Sequence, residues 1–141
     1  MIKIPRIVSA RIPMINIITI GAGGGSIAKI DDGGALKVGP KSAGATPGPA
    51  CYMRGGENPC VTDANIVLGK LNQKKILGGR MDVDIELAKN AIKTKICDKS
   101  NLDMKRAANG IITVVNSNMV RAIRSVSVEK GYDVREFSLM A

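Results

Sequence analysis

Histidine and tryptophan are absent from this 141-residue chain, and only two tyrosines and one phenylalanine are present. Without histidine, the chain's own residues build no conventional Ser-His-Asp or Cys-His catalytic arrangement. A mixed Cys/His zinc site is excluded for the same reason, and no metal site is expected. The three cysteines (Cys51, Cys60 and Cys97) are odd in number, spaced nine and thirty-seven residues apart, and form no CxxC. They read as free thiols of a reducing compartment, which points to the cytoplasm. Aromatic rings usually carry much of a core's buried area. Their scarcity leaves Ile, Val, Leu and Met to fill the interior, or implies that aromatic partners lie on other segments.

Long apolar runs are also missing. The opening "MIKIPRIVSARIPMINIITIGAG" has early charges followed by apolar residues, but Pro5, Arg11, Pro13 and Asn16 interrupt it well short of a signal-peptide core. No stretch approaches the roughly 20 apolar residues that span a bilayer, so no membrane association is expected. Acidic residues are the scarcer charge, 12 against 21 basic, giving a formal net charge of +9. The excess is spread, with 8 basic and 4 acidic residues in 1–70 and 13 and 8 in 71–141. Nucleic-acid surfaces cluster their cations and interleave aromatics. Neither feature occurs here, and no nucleic-acid partner is expected.

What the chain does have is glycine. Four of the five residues from Gly21 to Gly25 are glycine, between β-branched segments. Residues 14–20, "MINIITI", read as a strand bounded by Pro13; "SIAKI" (26–30) returns as a second; Asp31-Asp32-Gly33-Gly34 is a turn; "ALKV" (35–38) is a third. This predicts a small β-meander over about 14–38. Residues 39–60 form a loop rich in Pro and Gly, with changing residue types rather than low complexity. Loops of this length inside a domain are commonly functional. Residues 61–131 read as helical. "VTDANIVLGKL" starts with Thr62 or Asp63 as a cap; a second helix covers about 84–96; a long one runs from about 101 to 130 and stops at Gly131. Residues 135–141 read as the beginning of a strand. The whole is an α/β chain treated as a single partial domain over 1–141.

Three stretches then resemble one family: "TIGAGGGSIAKIDDGGALKVGPKSAGATPGPACYMRGG", "VTDANIVLGKL" with "LGGRM", and "AANGIITVVNSNMVRAIRSVSVEKGYDVREFSLMA". Together they are similar to the hydantoinase A/5-oxoprolinase family, which includes N-methylhydantoinases and the ATPase-type subunits of acetone and acetophenone carboxylases. The likeness runs from about Pro13 to Ala141. It implies part of an actin-like ATPase domain of the sugar kinase and heat-shock type. It also implies ATP with Mg as cofactors, and an activity on cyclic amides, or alternatively carboxylation of ketones. A noncatalytic remnant or assembly piece is the third possibility. The implied partners are the remainder of a hydantoinase A subunit and a hydantoinase B-type subunit or domain. The family's Asp-x-Gly-Gly-Thr phosphate loops and its Gly-Gly-Ala-Gly-Pro loop do not occur in these 141 residues. Asn16 and Ile18 stand where the family tends to carry Asp and His. An amide and an alkyl group replace neither in metal binding or proton transfer. The chain is therefore expected to be a piece that does not turn over substrate alone, and its long helix is expected to expose apolar residues such as Ile111 or Met119.

Candidate site residues follow from both readings. Gly21, Gly23, Gly24, Gly25 and Ser26 would present backbone N–H groups to an anion, or else form a tight turn where another segment packs closely; the resemblance places them near substrate or nucleotide. Arg54, beside Gly55-Gly56, has the fork to hold a carboxylate or phosphate, or is solvated. Asp63 and Asn65 are the catalytic candidates, with Asp63 ligating a cation or accepting a proton, against a plain N-cap role. Cys51 reads as a buried thiol rather than a nucleophile. Arg121 and Arg124 read as solvent-facing or paired with acids.

Overall fold

The computed structural model describes residues 17–138 and Met140. Strand β1 (Ser26–Ile30) pairs antiparallel with β2 (Leu36–Ser42), placing Ala28 opposite Val38 and Ile30 opposite Leu36. The turn is built by Asp31. Its carboxylate accepts the N–H groups of Gly33 (3.1 Å) and Ala35 (2.8 Å), and Gly34 takes the positive φ of 81° that the reversal needs. Those N–H groups, with Lys37 behind them, hold the Asp31 carboxyl below the ordinary carboxylate range.

Helix α1 (Val61–Val67) follows the Pro/Gly loop, which contains a single short 3₁₀ turn at Ala50–Tyr52. A second small hairpin, β3 (Lys75–Ile76) with β4 (Met81–Asp82), precedes α2 (Ile85–Ile92). Asp84 caps α2 by accepting the Glu86 N–H at 2.7 Å. The chain then widens into a π-type turn over Lys93–Cys97 and ends in α3 (Asp98–Ser100). Asp103 caps the long α4 (Met104–Val126) through the Arg106 N–H at 2.8 Å.

The main core lies where the hairpin, α1, the α2 end and α4 meet. Ala28 and Val38 face Val61, Ala64, Ile92, Ile96, Ala107, Ala108, Ile111 and Val115. Alanines at the helix contacts let backbones approach, so Ile and Val fill a core from which rings are missing. A smaller cluster of Cys51, Ile66, Val83 and Ala88 ties the Pro/Gly loop to α1 and α2. Tyr132 and Phe137 stack edge to face 5.9 Å apart, but both are exposed.

Several sequence expectations change. Residues 14–16 lie outside the described residues, and 17–20 form no strand, so the meander is a two-stranded hairpin. Strand β2 begins at Leu36, not Ala35, and continues through Gly39 and Pro40 to Ser42, four residues into the expected loop. Gly39, at φ 70°, sits in the register irregularity that lets it do so. Helix α1 stops at Val67, because Gly69 (φ 71°) turns the chain. The expected helical part 61–131 contains the β3–β4 hairpin, whose tip Leu77-Gly78-Gly79 has three positive φ angles. The long helix is shorter at both ends and is followed by 3₁₀ turns at Val128–Lys130 and Val134–Glu136, the second running into the start of the expected strand at 135–141. Phe137 and Ser138 are not in a strand, while residues 139 and 141 lie outside the described set. Ile111 is fully buried and Met119 half-buried. The apolar side chains exposed along α4 are instead Val120 (53%) and Ile123 (43%).

Candidate functional site

Three segments meet at the glycine turn: the turn itself, the end of β2 and the first residues of α1. A Cβ added at Gly21 would lie 2.6 Å from Pro40 Cα, one at Gly24 2.8 Å from Thr62 Oγ1, and one at Gly25 2.8 Å from Ser42 Oγ. At Gly39 an added Cβ would strike the Gly21 carbonyl oxygen. Gly23 has open space around it. Close approach therefore requires glycine at 21, where the neighbour is backbone; at 24 and 25 a Cβ would displace the Thr62 and Ser42 hydroxyls, and at 23 it would meet nothing.

The carbonyls of Gly21, Gly23, Gly24 and Gly25, together with the Gly23 N–H and the Ser26 hydroxyl, are bonded within the protein. The Gly23 N–H donates to Ser26 Oγ (2.9 Å), and that hydroxyl donates to the Gly21 carbonyl (3.2 Å). The Ser26 N–H donates to the Gly23 carbonyl at 3.0 Å. The Gly24 carbonyl accepts both the Thr62 N–H (2.9 Å) and the Thr62 hydroxyl (3.1 Å), and the Gly25 carbonyl accepts the Ala43 N–H (2.9 Å). Ser26 is thus a buried internal strut, not a presented nucleophile.

Behind this turn Asp63 organises the Pro/Gly loop. Its carboxylate is fully buried and accepts three backbone N–H groups, from Ala50 (3.2 Å), Cys51 (2.8 Å) and Cys60 (2.7 Å). The residue at the N-cap position is Cys60, not Thr62 or Asp63. Asp63 reaches back to that cap N–H, as the acid of a capping box does. Burial first, and the Asp63 charge second, push the Cys51 thiol far up and the Cys60 thiol from 9.0 to about 12. Neither carries appreciable thiolate near neutrality, so neither suits nucleophilic chemistry. Asn65 is half-buried on α1, and Arg54 is exposed with Nη1 donating to the Ala45 carbonyl at 3.3 Å.

Of the candidate residues, Gly21 through Ser26 come together as one unit packed on Thr62 and Ser42. Asp63 sits beneath the loop, while Arg54 lies on its surface. Reading the sequence missed Thr62 and Ser42 as partners of the turn; the signal was the glycine cluster itself, which demands something close. It also missed the pairing of Asn118 with Arg121. Among the described residues, no three His, Cys, Asp or Glu side chains gather as a metal site, and no buried side-chain nitrogen or oxygen lacks a partner. Nor is any helix among them long and apolar enough to cross a membrane.

A mixed α/β segment with a small antiparallel hairpin, a glycine turn locked to a helix start and a carboxylate-anchored loop is thus the class that the fold defines. The chain belongs to the hydantoinase/oxoprolinase family, whose model matches residues 4–141. It is 54% identical over 129 residues to the caprolactamase subunit alpha of Pseudomonas jessenii, covering 92% of this chain and 18% of that protein. It is 44% identical over 131 residues to the acetophenone carboxylase gamma subunit of Aromatoleum aromaticum, with the same two shares. Against the 5-oxoprolinase of Saccharomyces cerevisiae it is 38% identical over 139 residues, covering 92% of this chain and 11% of that one. The crystal structure of the ATP-dependent caprolactamase from Pseudomonas jessenii superposes with a TM-score of 0.81 over 89% of this chain and 18% of that one. A nucleotide-free acetone carboxylase structure, 36% identical, gives 0.77 over 84% and 17%. The chain therefore spans less than a fifth of each of these relatives.

Proposed function

We propose that this chain forms one part of the catalytic subunit of an ATP-dependent cyclic-amide hydrolase, within an actin-like ATPase fold of the sugar kinase and heat-shock type. The observation that carries this reading is the 54% identity to the caprolactamase subunit alpha over 92% of the chain. A ketone carboxylase is the second reading, favoured by the likeness to the acetophenone and acetone carboxylases. In either case the cytoplasm suits three free thiols. The partners would be the rest of a hydantoinase A subunit and a hydantoinase B-type subunit or domain.

The residues in hand do not fit a complete ATP or Mg site. The carbonyls of Gly21, Gly23, Gly24 and Gly25 and the Gly23 N–H are bound within the protein, and the Asp-x-Gly-Gly-Thr patterns do not occur. No chemical step through ATP is derived from this chain. Its own contribution is positional. The turn at Gly21–Ser26 fixes how close β2 and α1 come, and Asp63, with both oxygens engaged, shapes the loop that carries Arg54. Asp63 is in this reading a positioning residue, not the base. Arg54 and Asn65 are the side chains left to touch a substrate.

A segment exchange tests this. The matching stretch of the Pseudomonas caprolactamase subunit alpha is replaced by residues 19–141 of this chain, so that the host keeps its own residues at the positions of Asn16 and Ile18, and ATP-dependent lactam hydrolysis is measured beside circular dichroism and subunit assembly. Retained hydrolysis is the expected result. A chimera that folds and assembles but hydrolyses no lactam would contradict the hydrolase reading; an exchange tolerated only by the acetone carboxylase would favour the second.

A further inference from the structure

Between the first hairpin and α4 lies a cleft of about 620 Å³, of which the glycine turn contributes only the edge at Gly21 and Ala22. Leu36 and Val38 of β2 and Val114 of α4 make its apolar walls, and Asn118 and Arg121 stand on its α4 side. Asn118 joins the two walls. Its Nδ2 donates to the Val38 carbonyl at 3.1 Å, and its Oδ1 accepts from Arg121 Nη2 at 2.6 Å.

An exposed arginine is ordinarily a solvated, mobile side chain. Arg121 differs because an amide that is itself anchored to the sheet holds one of its nitrogens. Of the five N–H donors in a guanidinium, this contact uses one. Among the described residues no carboxylate pairs with Arg121, and no Asp or Glu lines the cleft. Lys37, the other cation lining it, has Asp31 at 3.2 Å. The cleft thus combines an oriented guanidinium without an acidic partner, apolar flanks, and no carboxylate to repel an anion.

We propose that this cleft is an anion-binding site in which Arg121, aimed by Asn118, takes a phosphate or carboxylate group through its planar fork. A ligand with a short apolar body beside its charged end would meet both the arginine and the Leu36, Val38 and Val114 walls. The site stands on these contacts alone and is independent of the hydrolase reading above.

The test is a titration of the full chain with inorganic phosphate, and separately with acetate, at constant ionic strength. It is followed by NMR at the Arg121 side chain and the Val38 and Ala22 amides. A saturable shift at these groups with either anion is expected, and the anion that saturates distinguishes a phosphoryl from a carboxylate ligand. Arg121→Gln should abolish it, and Arg121→Lys should weaken it by keeping charge without the fork. Asn118→Ala should weaken it by about tenfold through loss of orientation. Arg124→Gln, on the same helix but outside the cleft, should leave it unchanged. Absence of saturation with both anions would overturn the proposal. So would an equal loss in the Arg121→Gln and Arg124→Gln proteins, which marks diffuse attraction to a basic surface.

Discussion

Replacing Asp63 by asparagine removes a charge and one acceptor oxygen from three buried backbone N–H groups at once. Unfolding in urea should then show a loss of about 3 kcal/mol, the scale of charge-assisted bonds lost with donors left unpaired. An unchanged midpoint would mean that the loop does not depend on this anchor. The glycines allow a sharper contrast. Gly21→Ala forces the Pro40 backbone to move and should destabilise by about 1–3 kcal/mol. Gly23→Ala meets nothing within 4 Å and should be close to neutral, within about 0.5 kcal/mol. Equal effects at both positions would argue against close packing as the reason for the cluster. The buried thiols add a pH signature. Up to the ordinary thiol value of 9.0 both folded and unfolded states keep Cys60 protonated; above it the unfolded chain loses the proton first. The contribution of Cys60 to stability should thus fall from about pH 9 toward 12, and Cys60→Ala should flatten that part of the stability curve measured by urea unfolding.

At the scale of elements, the β1–β2 hairpin was legible in the sequence because "SIAKI" and Asp31-Asp32-Gly33-Gly34 state strand and turn locally. The end of β2 was not, since Gly39-Pro40 looks like a breaker. It continues because the close approach of Gly21 and Gly39 holds it in place. The β3–β4 hairpin escaped because two-residue strands leave no periodicity to read. Helix α4 was visible from its apolar spacing, yet which of its apolar residues face the core depends on partners far away in sequence. Ile111 meets the hairpin and α1 cluster, while Ile123 lies beyond it. Ile111→Ala should accordingly cost about 3 kcal/mol, and Ile123→Ala under about 0.5 kcal/mol in the isolated chain, both read from denaturant midpoints. Reversal of that order would contradict the burial pattern.

At the scale of the whole molecule, the sequence marks Gly21–Ser26, Arg54, Asp63 and Asn65 as candidates, and which of them pack together is visible only in the fold. The glycine cluster advertises a special backbone, and only the fold shows that Ser26, Thr62 and Ala43 bind its carbonyls while Pro40 and Ser42 pack against it. Asp63 reads in sequence as a cation ligand or proton acceptor, or as an N-cap, because nothing in "VTDAN" reveals that a loop folds over it. Exposed Ile123, Tyr132, Val134 and Phe137 form an apolar surface beside the C-terminal end of α4. The chain spans only 18% of the caprolactamase subunit it resembles at 54% identity. Both facts fit the proposal that this chain is one part of a larger ATP-dependent subunit in which other segments would hold the nucleotide. Titration calorimetry of the isolated chain with MgATP tests that claim most directly. No saturable heat at micromolar concentrations is the expected result. Tight, saturable binding of one MgATP per chain would contradict it.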